Sequence, residues 1–306
     1  MDKPLKKLLI TGGSGFLGYH VALLATSRWQ VYVMYYRNTP LVTGTIPVHC
    51  DITRYIDLGN TLEEVQPDAV LHTAALADAN YCQLHPDESF EVNVEATRNL
   101  AGICSDLNIP FAFTSTDLVF DGKRGNYTEE DTPNPLMWYG AHKVQAEEDA
   151  MRIYPRTVIF RLPMMFGLRE ASGKNFMWQI INRLKEGKPQ RLFTDEYRSV
   201  SGALSISRGI LQLLENTSGI FHVAGAGKLS RYEFGLMVAD VFRLEKSYLE
   251  PCRQADVPMP APRPADVSLD IRKARSAGYE PVPVNEELTA IAKSENLQNL
   301  IAKFAP

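Results

Sequence analysis

A short apolar run that leads into three spaced glycines constrains this chain more than any other feature. Residues 8–10 read Leu-Leu-Ile, and residues 11–18 read TGGSGFLG, with glycines at positions 12, 15 and 18. Between a strand and a helix, such glycines let the backbone turn sharply and bring free N–H groups close to a phosphate. The chain has 20 glycines, so this spacing could also serve a packed turn. The strand–turn–helix context favours a dinucleotide-binding site.

Strand-like and helical segments alternate through the first half of the chain. The strand-like segments are 8–10, 31–36, 69–72, 111–115 and 157–161. The helical segments are 16–27, 89–107 and 139–153. This alternation predicts an α/β fold with a Rossmann-type, doubly wound parallel sheet.

After Pro163 the pattern becomes less regular. Helical stretches at 175–186, 207–214 and 231–242 alternate with irregular pieces, and residues 256–266 contain four prolines that exclude a helix. We therefore expect two domains. Residues 1–165 would form the dinucleotide-binding Rossmann domain, joined by a segment returning near 198–222. Residues 166–306 would form a smaller α+β C-terminal lobe that binds substrate.

Charge and cysteine content narrow the classes of function. The formal net charge is -4 and the basic residues are scattered, which disfavours nucleic-acid binding. No apolar run approaches the roughly 20 residues that span a bilayer, and the N-terminus lacks a signal-peptide pattern. The four cysteines show no paired spacing, so we expect buried free thiols in a reducing compartment. A soluble cytoplasmic protein is the default expectation, without a membrane partner.

The end of the second predicted strand bears on which cofactor binds. NAD-specific sites usually place an acid there, about 20 residues after the glycines, whereas this chain reads Tyr-Tyr-Arg-Asn at 35–38. The guanidinium of Arg37 could pair with a 2′-phosphate, or it could be an ordinary solvated side chain. We favour NADP(H), with NAD(H) left open. Asp51 and Ile52 follow a short strand, and Asp51 either contacts the adenine or caps a helix.

Tyr139 and Lys143 lie four residues apart and share one helix face. No other of the 13 tyrosines has a lysine four residues later. A nearby ammonium would lower the pKa of the phenol, which could then give its proton to a carbonyl as hydride arrives. Thr116, at the end of a strand, could hold that carbonyl. The alternatives are a surface Tyr–Lys pair and a hydroxyl that only caps a turn.

Several motifs, taken in order, resemble those of one superfamily. TGGSGFLG, HTAALAD, EVNVEAT, STDLVFDG, YGAHK and RLPMMFG are similar to motifs of the extended short-chain dehydrogenase/reductases over about the first 170 residues. The STDLVFDG form, the segment 127–131 and the pairs Arg263–Pro264 and Ser268–Leu269 resemble the dTDP-4-dehydrorhamnose reductase subgroup, to about residue 270. No spacing of His, Cys or Asp suggests a metal site.

This resemblance implies roles for individual residues. Thr116, Tyr139 and Lys143 would be the catalytic group, with Tyr139 as proton donor, and Asn93 would support a water-linked proton path from Lys143. The implied cofactor contacts are Gly12, Gly15, Phe16, Leu17, Gly18, Arg37, Asp51, Ile52, Ala74, Ala75, Ala77, Tyr139, Lys143 and Pro163. The implied substrate contacts are Thr116, Asp117, Met164 and Arg263, with Arg263 at the phosphates.

Two departures from the family pattern leave details open. His142 stands where the family usually has a small hydroxyl residue, and we interpret it as a helix-surface histidine or a local substrate contact. Leu118 stands where the subgroup often has an aromatic residue, which leaves the sugar undetermined.

Three functions are compatible with these motifs. The favoured one is an NADPH-dependent reductase that acts on a nucleotide-linked 4-keto-6-deoxy sugar. The second is a non-catalytic, NADP-binding subunit resembling the regulatory subunit of methionine adenosyltransferase. The third is a nucleotide-sugar epimerase or dehydratase, although dehydratases of this superfamily usually follow the threonine with Asp-Glu and this chain has Asp117–Leu118. Members of the superfamily often dimerise, so a homodimer is one expected assembly.

Overall fold

A seven-stranded parallel sheet lies at the centre of the fold, and two-stranded pairs lie outside it. The computed structural model describes residues 4–40, 42–168, 175–215 and 217–294. Its strands are β1 (Lys7–Thr11), β2 (Gln30–Tyr35), β3 (Thr45–His49), β4 (Ala69–His72), β5 (Phe111–Thr116), β6 (Val158–Leu162), β7 (Met165–Phe166), β8 (Gln190–Phe193), β9 (Tyr197–Arg198), β10 (Ser201–Gly202), β11 (Gly219–His222), β12 (Leu229–Ser230) and β13 (Leu249–Cys252).

The helices include those that the sequence pattern predicts and others, such as Tyr55–Val65, that it did not mark. They are α1 (Phe16–Ala25), α2 (Tyr55–Val65), α3 (Ala79–Leu84), α4 (Pro86–Phe90), α5 (Ala96–Asp106), α6 (Trp138–Ile153), α7 (Phe176–Lys185), α8 (Ala203–Leu213), α9 (Arg231–Phe242), α10 (Arg272–Ser276) and α11 (Val284–Lys293). Within the described ranges, no helix combines the length and the apolar character needed to cross a bilayer.

The central sheet is doubly wound, which confirms the predicted fold class. Its strand order is β11-β6-β5-β4-β1-β2-β3, and all neighbours run parallel. The order reverses between β1 and β4, and such a switch point opens a crevice at the carboxyl ends of the strands. The returning segment includes β11, which pairs with β6 at the sheet edge. The domain boundary at residue 165 stays a proposal.

Alternate residues of each strand pack on opposite faces of this sheet. Leu8 and Ile10 of β1 belong to one apolar cluster, which also contains side chains of α1 and α8. Leu9 belongs to another cluster, with side chains of α2, α5 and α6. This period of two matches a strand that is buried on both faces. The four cysteines are buried free thiols, as expected.

The predicted helix at 89–107 is a composite of three pieces. Pro86 occupies the first turn of α4, where a missing N–H is tolerated, so the helical segment starts earlier than predicted. Residues 91–95 form a π-helical turn between α4 and α5. Such a turn inserts one extra residue and re-aims the side chains it carries, here including Asn93. Residues 257–266 contain no helix, which confirms the effect of the prolines.

A buried carboxyl joins the C-terminal helix α11 to the start of α8. Glu287 is 1% exposed, and it packs so closely on Gly202 that a Cβ there would lie 1.8 Å from its Cδ. Burial raises the pKa of Glu287 to about 8, against the opposing effect of the backbone N–H groups of Leu204 and Ser205. The folded chain thus binds this proton more tightly than the unfolded chain does.

We predict that Glu287→Gln removes a pH-dependent loss of stability. The contribution of the protonated carboxyl is fully present below its unfolded pKa of about 4.5 and is lost as pH rises through about 8. Urea unfolding should show the variant similar to the native chain at pH 5 and more stable at pH 9, by roughly 4 kcal/mol, because about three pKa units at about 1.4 kcal/mol each separate pH 5 from the folded pKa. The exposed neighbour provides the control variant Glu286→Gln. Equal pH dependence in all three proteins would contradict the prediction.

Candidate active site

The glycine turn between β1 and α1 is shaped to admit a bulky anion close to the backbone. Gly12 has a φ of 67°, and a Cβ on it would lie 2.6 Å from the backbone of Ala74. A Cβ on Gly18 would lie 2.5 Å from the carbonyl oxygen of Gly12. Helix α1 begins at Phe16 without a side-chain cap, so the first-turn N–H groups point towards the cleft. This cradle fits the diphosphate of a dinucleotide.

Two cavities meet at the glycine turn and form one cleft along the carboxyl edge of the sheet. The inner cavity has a volume of about 660 Å³ and the outer one about 460 Å³. The predicted site residues on the inner cavity are Gly12, Gly15, Phe16, Leu17, Gly18, Ala75, Ala77, Thr116, Tyr139, Lys143, Pro163, Met164 and Arg263. Those on the outer cavity are Gly12, Gly15, Arg37, Asp51, Ile52, Ala74 and Ala75.

The outer cavity brings Arg37 and Asp51 to the position expected for the adenosine half of a dinucleotide. Arg37 is exposed at the rim, with its guanidinium 5.6 Å from the ring centre of Tyr36. Asp51 lines the cavity, and its Oδ1 accepts hydrogen bonds from the backbone N–H and the hydroxyl of Thr53. It caps no helix, because α2 begins at Tyr55 after Arg54 and has no side-chain cap, so the capping interpretation is wrong and contact with the adenine stays a prediction.

Lys143 is buried between helix α6 and strand β5. Its Nζ donates a hydrogen bond of 2.7 Å to the carbonyl oxygen of Thr114 and lies 4.0 Å from the ring centre of Phe113. The side chain is 1% exposed, and burial lowers the pKa of Lys143 to about 7, with Glu147 opposing the shift. The Tyr–Lys pair is therefore not a surface pair.

Tyr139 lies one turn before Lys143 and is also buried. We expected the ammonium to lower the pKa of this phenol, but burial raises the pKa above its ordinary value, with the Thr116 hydroxyl opposing. The reason is geometric, because the Lys143 ammonium is directed at the Thr114 carbonyl and the Phe113 ring. A phenol of raised pKa keeps its proton at neutral pH and is a weaker acid than an ordinary tyrosine.

Thr116 ends β5 beside Tyr139 and has two roles in the structure. Its Oγ accepts a hydrogen bond of 3.2 Å from the backbone N–H of Leu118, which caps a short 3₁₀ turn at residues 117–119. The same hydroxyl lines the inner cavity. The Thr116 hydroxyl can therefore cap the turn and still line the cleft.

Asp117 does not match its expected contact with substrate. It is fully buried, and both carboxylate oxygens accept hydrogen bonds from the guanidinium of Arg198. It is Arg198 that lines the inner cavity. The Arg198 guanidinium covers the Asp117 carboxylate, so this carboxylate cannot reach the cleft.

Three arginines line the inner cavity, and the sequence motifs predicted only one of them. Arg198, Arg231 and Arg263 are present there together. Glu196 pairs with Arg231 at 2.8 Å and lies 3.6 Å from Arg198, and Asp117 also pairs with Arg198. Asp78 also lines this cavity, so three guanidinium groups lie near three carboxylates. No motif marked Arg198 or Arg231, which are distant in sequence from the glycine turn and the YGAHK segment.

The side chain of Asn93 makes its hydrogen bonds to other groups and does not form part of a proton path from Lys143. Its amide donates to Leu76 O and to Ser89 Oγ, and its Oδ1 accepts from the N–H of Leu76. Asn93 therefore fixes the loop that follows β4, which carries the alanines of the cleft. The π-helical turn aims Asn93 at this loop.

His142 is neither a surface residue nor part of the cleft lining. It is 5% exposed, its Nδ1 lies 2.8 Å from Ser89 Oγ, and its ring stacks on Trp138 with 5.6 Å between centres. Both sequence interpretations of His142 are therefore wrong. The indole and the serine cover a ring that the helical pattern alone would leave exposed.

We predict that Gly12→Ala weakens dinucleotide binding at least tenfold. The substitution forces a side chain into a left-handed backbone conformation, which costs about 1 kcal/mol or more, and it pushes the backbone of Ala74 away. The measurement is titration of NADPH fluorescence with each protein. Gly59→Ala on α2 is the matched control, since a Cβ there meets nothing within 4 Å. Unchanged affinity in Gly12→Ala would count against a diphosphate at this turn.

Comparison with known proteins agrees with this geometry. Residues 6–296 match the family model described as RmlD substrate binding domain. The chain is 31% identical over 289 residues to the probable low-salt glycan biosynthesis reductase Agl14 of Haloferax volcanii, covering 92% of this chain and 96% of that one. It is 26% identical over 284 residues to methionine adenosyltransferase 2 subunit beta of Bos taurus, covering 90% and 83%.

A solved structure gives the same assignment. The crystal structure of a hypothetical dTDP-4-dehydrorhamnose reductase from Sulfolobus tokodaii is 32% identical and superposes with a TM-score of 0.78, covering 88% of this chain and 94% of that one. The fold, the cleft and the family match all support the same family assignment. The chain belongs to the RmlD substrate binding domain family, within the extended short-chain dehydrogenase/reductases, and is an NAD(P)-dependent oxidoreductase of the dTDP-4-dehydrorhamnose reductase-like group.

Proposed function

We propose that the chain reduces the ketone of a nucleotide-linked 4-keto-6-deoxy sugar with NADPH. One observation carries this proposal: a buried phenol lies beside a strand-end threonine, in a cleft that also holds the glycine cradle and three arginines. The relatives that bear reductase names support the reaction class.

Each member of the catalytic group has a role that follows from its position. A bound nicotinamide would supply the hydride. Thr116 and Tyr139 orient the substrate carbonyl, and Tyr139 gives its proton to the oxygen as negative charge develops there. Lys143, one turn further along α6, ties the helix to strand β5 through the Thr114 carbonyl and so holds Tyr139 at the cleft. All three side chains line the inner cavity and are otherwise buried.

The arginines support a diphosphate on the substrate. Guanidinium groups recognise phosphate oxygens through paired hydrogen bonds, and three of these groups line the inner cavity. Arg263 keeps part of its guanidinium directed at Asn80, with a hydrogen bond of 3.0 Å, so a phosphate would join an already oriented group. A nucleoside-diphosphate sugar fits these guanidinium groups better than a neutral ketone does.

Asp117 argues against dehydration. A dehydratase needs a carboxyl that can give a proton to the leaving hydroxyl, and the Asp117 carboxylate is buried under Arg198. The next residue, Leu118, supplies no second carboxyl. Reduction needs neither group.

Arg37 supports the choice of NADP(H). No acid stands at the end of β2 to accept from a ribose 2′-hydroxyl, and Arg37 lies at the rim of the outer cavity. We predict that Arg37→Ala weakens NADPH binding at least tenfold more than NADH binding, because only NADPH carries the 2′-phosphate. Fluorescence titration with both cofactors measures the ratio. Equal losses for both, or none, would contradict the assignment.

We predict that Tyr139→Phe lowers kcat by roughly 10²- to 10⁴-fold and leaves the Kd of NADPH within about twofold. Only the proton donor is lost, since the aromatic ring still fills its place. The assay follows NADPH oxidation against a panel of nucleotide-linked keto sugars, with Tyr55→Phe on the exposed face of α2 as the matched control.

Two outcomes would overturn the proposal. Turnover that survives Tyr139→Phe would remove the assigned proton donor. A native chain that turns over no keto sugar, yet is captured by the catalytic subunit of methionine adenosyltransferase, would favour the non-catalytic alternative raised by the similarity to subunit beta.

A further inference from the structure

A third ionisable residue shares the helix face of Tyr139 and Lys143. Helix α6 places Glu147 one turn beyond Lys143, so the three side chains follow one another at intervals of four residues. Tyr139 and Lys143 line the cleft, whereas Glu147 lies deeper and is 2% exposed. A carboxylate without contact to water is costly unless a cation and hydrogen bonds hold it.

Arg161 of strand β6 holds this carboxylate. Its Nε donates to both oxygens of Glu147 at 3.1 and 3.2 Å, and its Nη2 donates to one of them at 2.7 Å. Arg161 is also 2% exposed. Parallel pairing sets Arg161 opposite Ser115 on β5 and His222 on β11, so the ion pair lies beneath the catalytic helix.

The other ionisable groups around this pair stay neutral. Burial, followed by the charge of Arg161, lowers the pKa of His222 to about 3. Burial, followed by the charge of Lys143, lowers the pKa of His72 on β4 to about 3. Burial raises the pKa of the Cys82 thiol on α3. Among the groups that act on Lys143, Glu147 is therefore the one held in a buried ion pair, with Arg161.

Stability alone does not account for the pair. Replacing a buried ion pair by apolar side chains of similar size is often neutral or stabilising. The pair is also incompletely satisfied, since Nη1 of Arg161 has no hydrogen-bond partner within the described residues. What distinguishes the pair is its location. Glu147 lies one helical turn from the buried Lys143 amine, whose pKa is lowered by burial.

We propose that Glu147, fixed by Arg161, is a positioning residue for Lys143: its buried carboxylate keeps the Lys143 amine charged and directed at strand β5. The catalytic part of this inference rests on the proposed reductase function. The electrostatic part does not, because it concerns the protonation of one amine in the protein by itself.

The test titrates Lys143 directly by NMR. Protein labelled with carbon-13 at the lysine Cε gives one signal per lysine, and the signal lost in Lys143→Met identifies residue 143. The double variant Glu147→Gln/Arg161→Met removes both buried charges without leaving either one unpaired. We expect the titration midpoint of Lys143 to fall by about one pH unit in this variant. Glu148→Gln, on the exposed side of the same helix, should leave the midpoint unchanged.

A folded double variant with an unchanged Lys143 midpoint would overturn the inference and leave a purely structural pair. If the double variant does not fold, Arg161→Lys answers the same question. It keeps a cation beside Glu147 while losing the fork of hydrogen bonds, so the midpoint should stay within about 0.3 units of the native value. A fall of a full unit in Arg161→Lys would show that the Glu147 charge does not set the state of Lys143.

A kinetic measurement links the pair to turnover. If the chain reduces keto sugars as proposed, the alkaline limb of kcat against pH should move towards lower pH by the same amount as the Lys143 midpoint. A moved midpoint with an unmoved limb would refute the link to turnover. Absence of any keto-sugar turnover in the native chain would refute the proposed function alone, since the NMR titration would still decide the role of Glu147.

Discussion

The Lys143 ammonium is buried between helix α6 and strand β5, and the geometry of the candidate site depends on that contact. The amine is hydrogen-bonded to the Thr114 carbonyl and lies over the Phe113 ring, which ties the helix to the strand that ends in Thr116. Tyr139 then lies at the carboxyl edge of the sheet, across from the glycine turn. Parallel pairing of β1, β4, β5 and β6 brings these segments to one edge.

Local patterns were sufficient to predict the sheet, the glycine turn and the Tyr139–Lys143 pair. Each depends on residues that are close in sequence, such as the apolar run 8–10 before Gly12 or the four-residue spacing on α6. Side-chain environments were not predictable in this way. Tyr139 was expected to have a lowered pKa, and burial raises the pKa instead. His142 was expected at the surface, and Trp138 and Ser89 cover it.

Contacts between distant segments account for the remaining errors. Arg198 is 81 residues from Asp117, and no local pattern predicts that its guanidinium covers that carboxylate. Asn93 was expected to serve Lys143, whereas the π-helical turn directs it to Leu76. The C-terminal part of the chain thus supplies positive charge to a cleft whose walls come mainly from the first half. Its cationic side chains complete a site that the N-terminal motifs only outline.

We propose that a dinucleotide lies across the glycine turn with its nicotinamide beside Tyr139. A crystal structure of the chain with NADPH and a nucleoside diphosphate tests this arrangement most directly. We expect the cofactor diphosphate at Gly12–Gly18, the nicotinamide ring beside the Tyr139 hydroxyl and the second diphosphate against the arginines of the inner cavity. Density that places the nicotinamide away from Tyr139, or a glycine turn that holds no diphosphate, would contradict it.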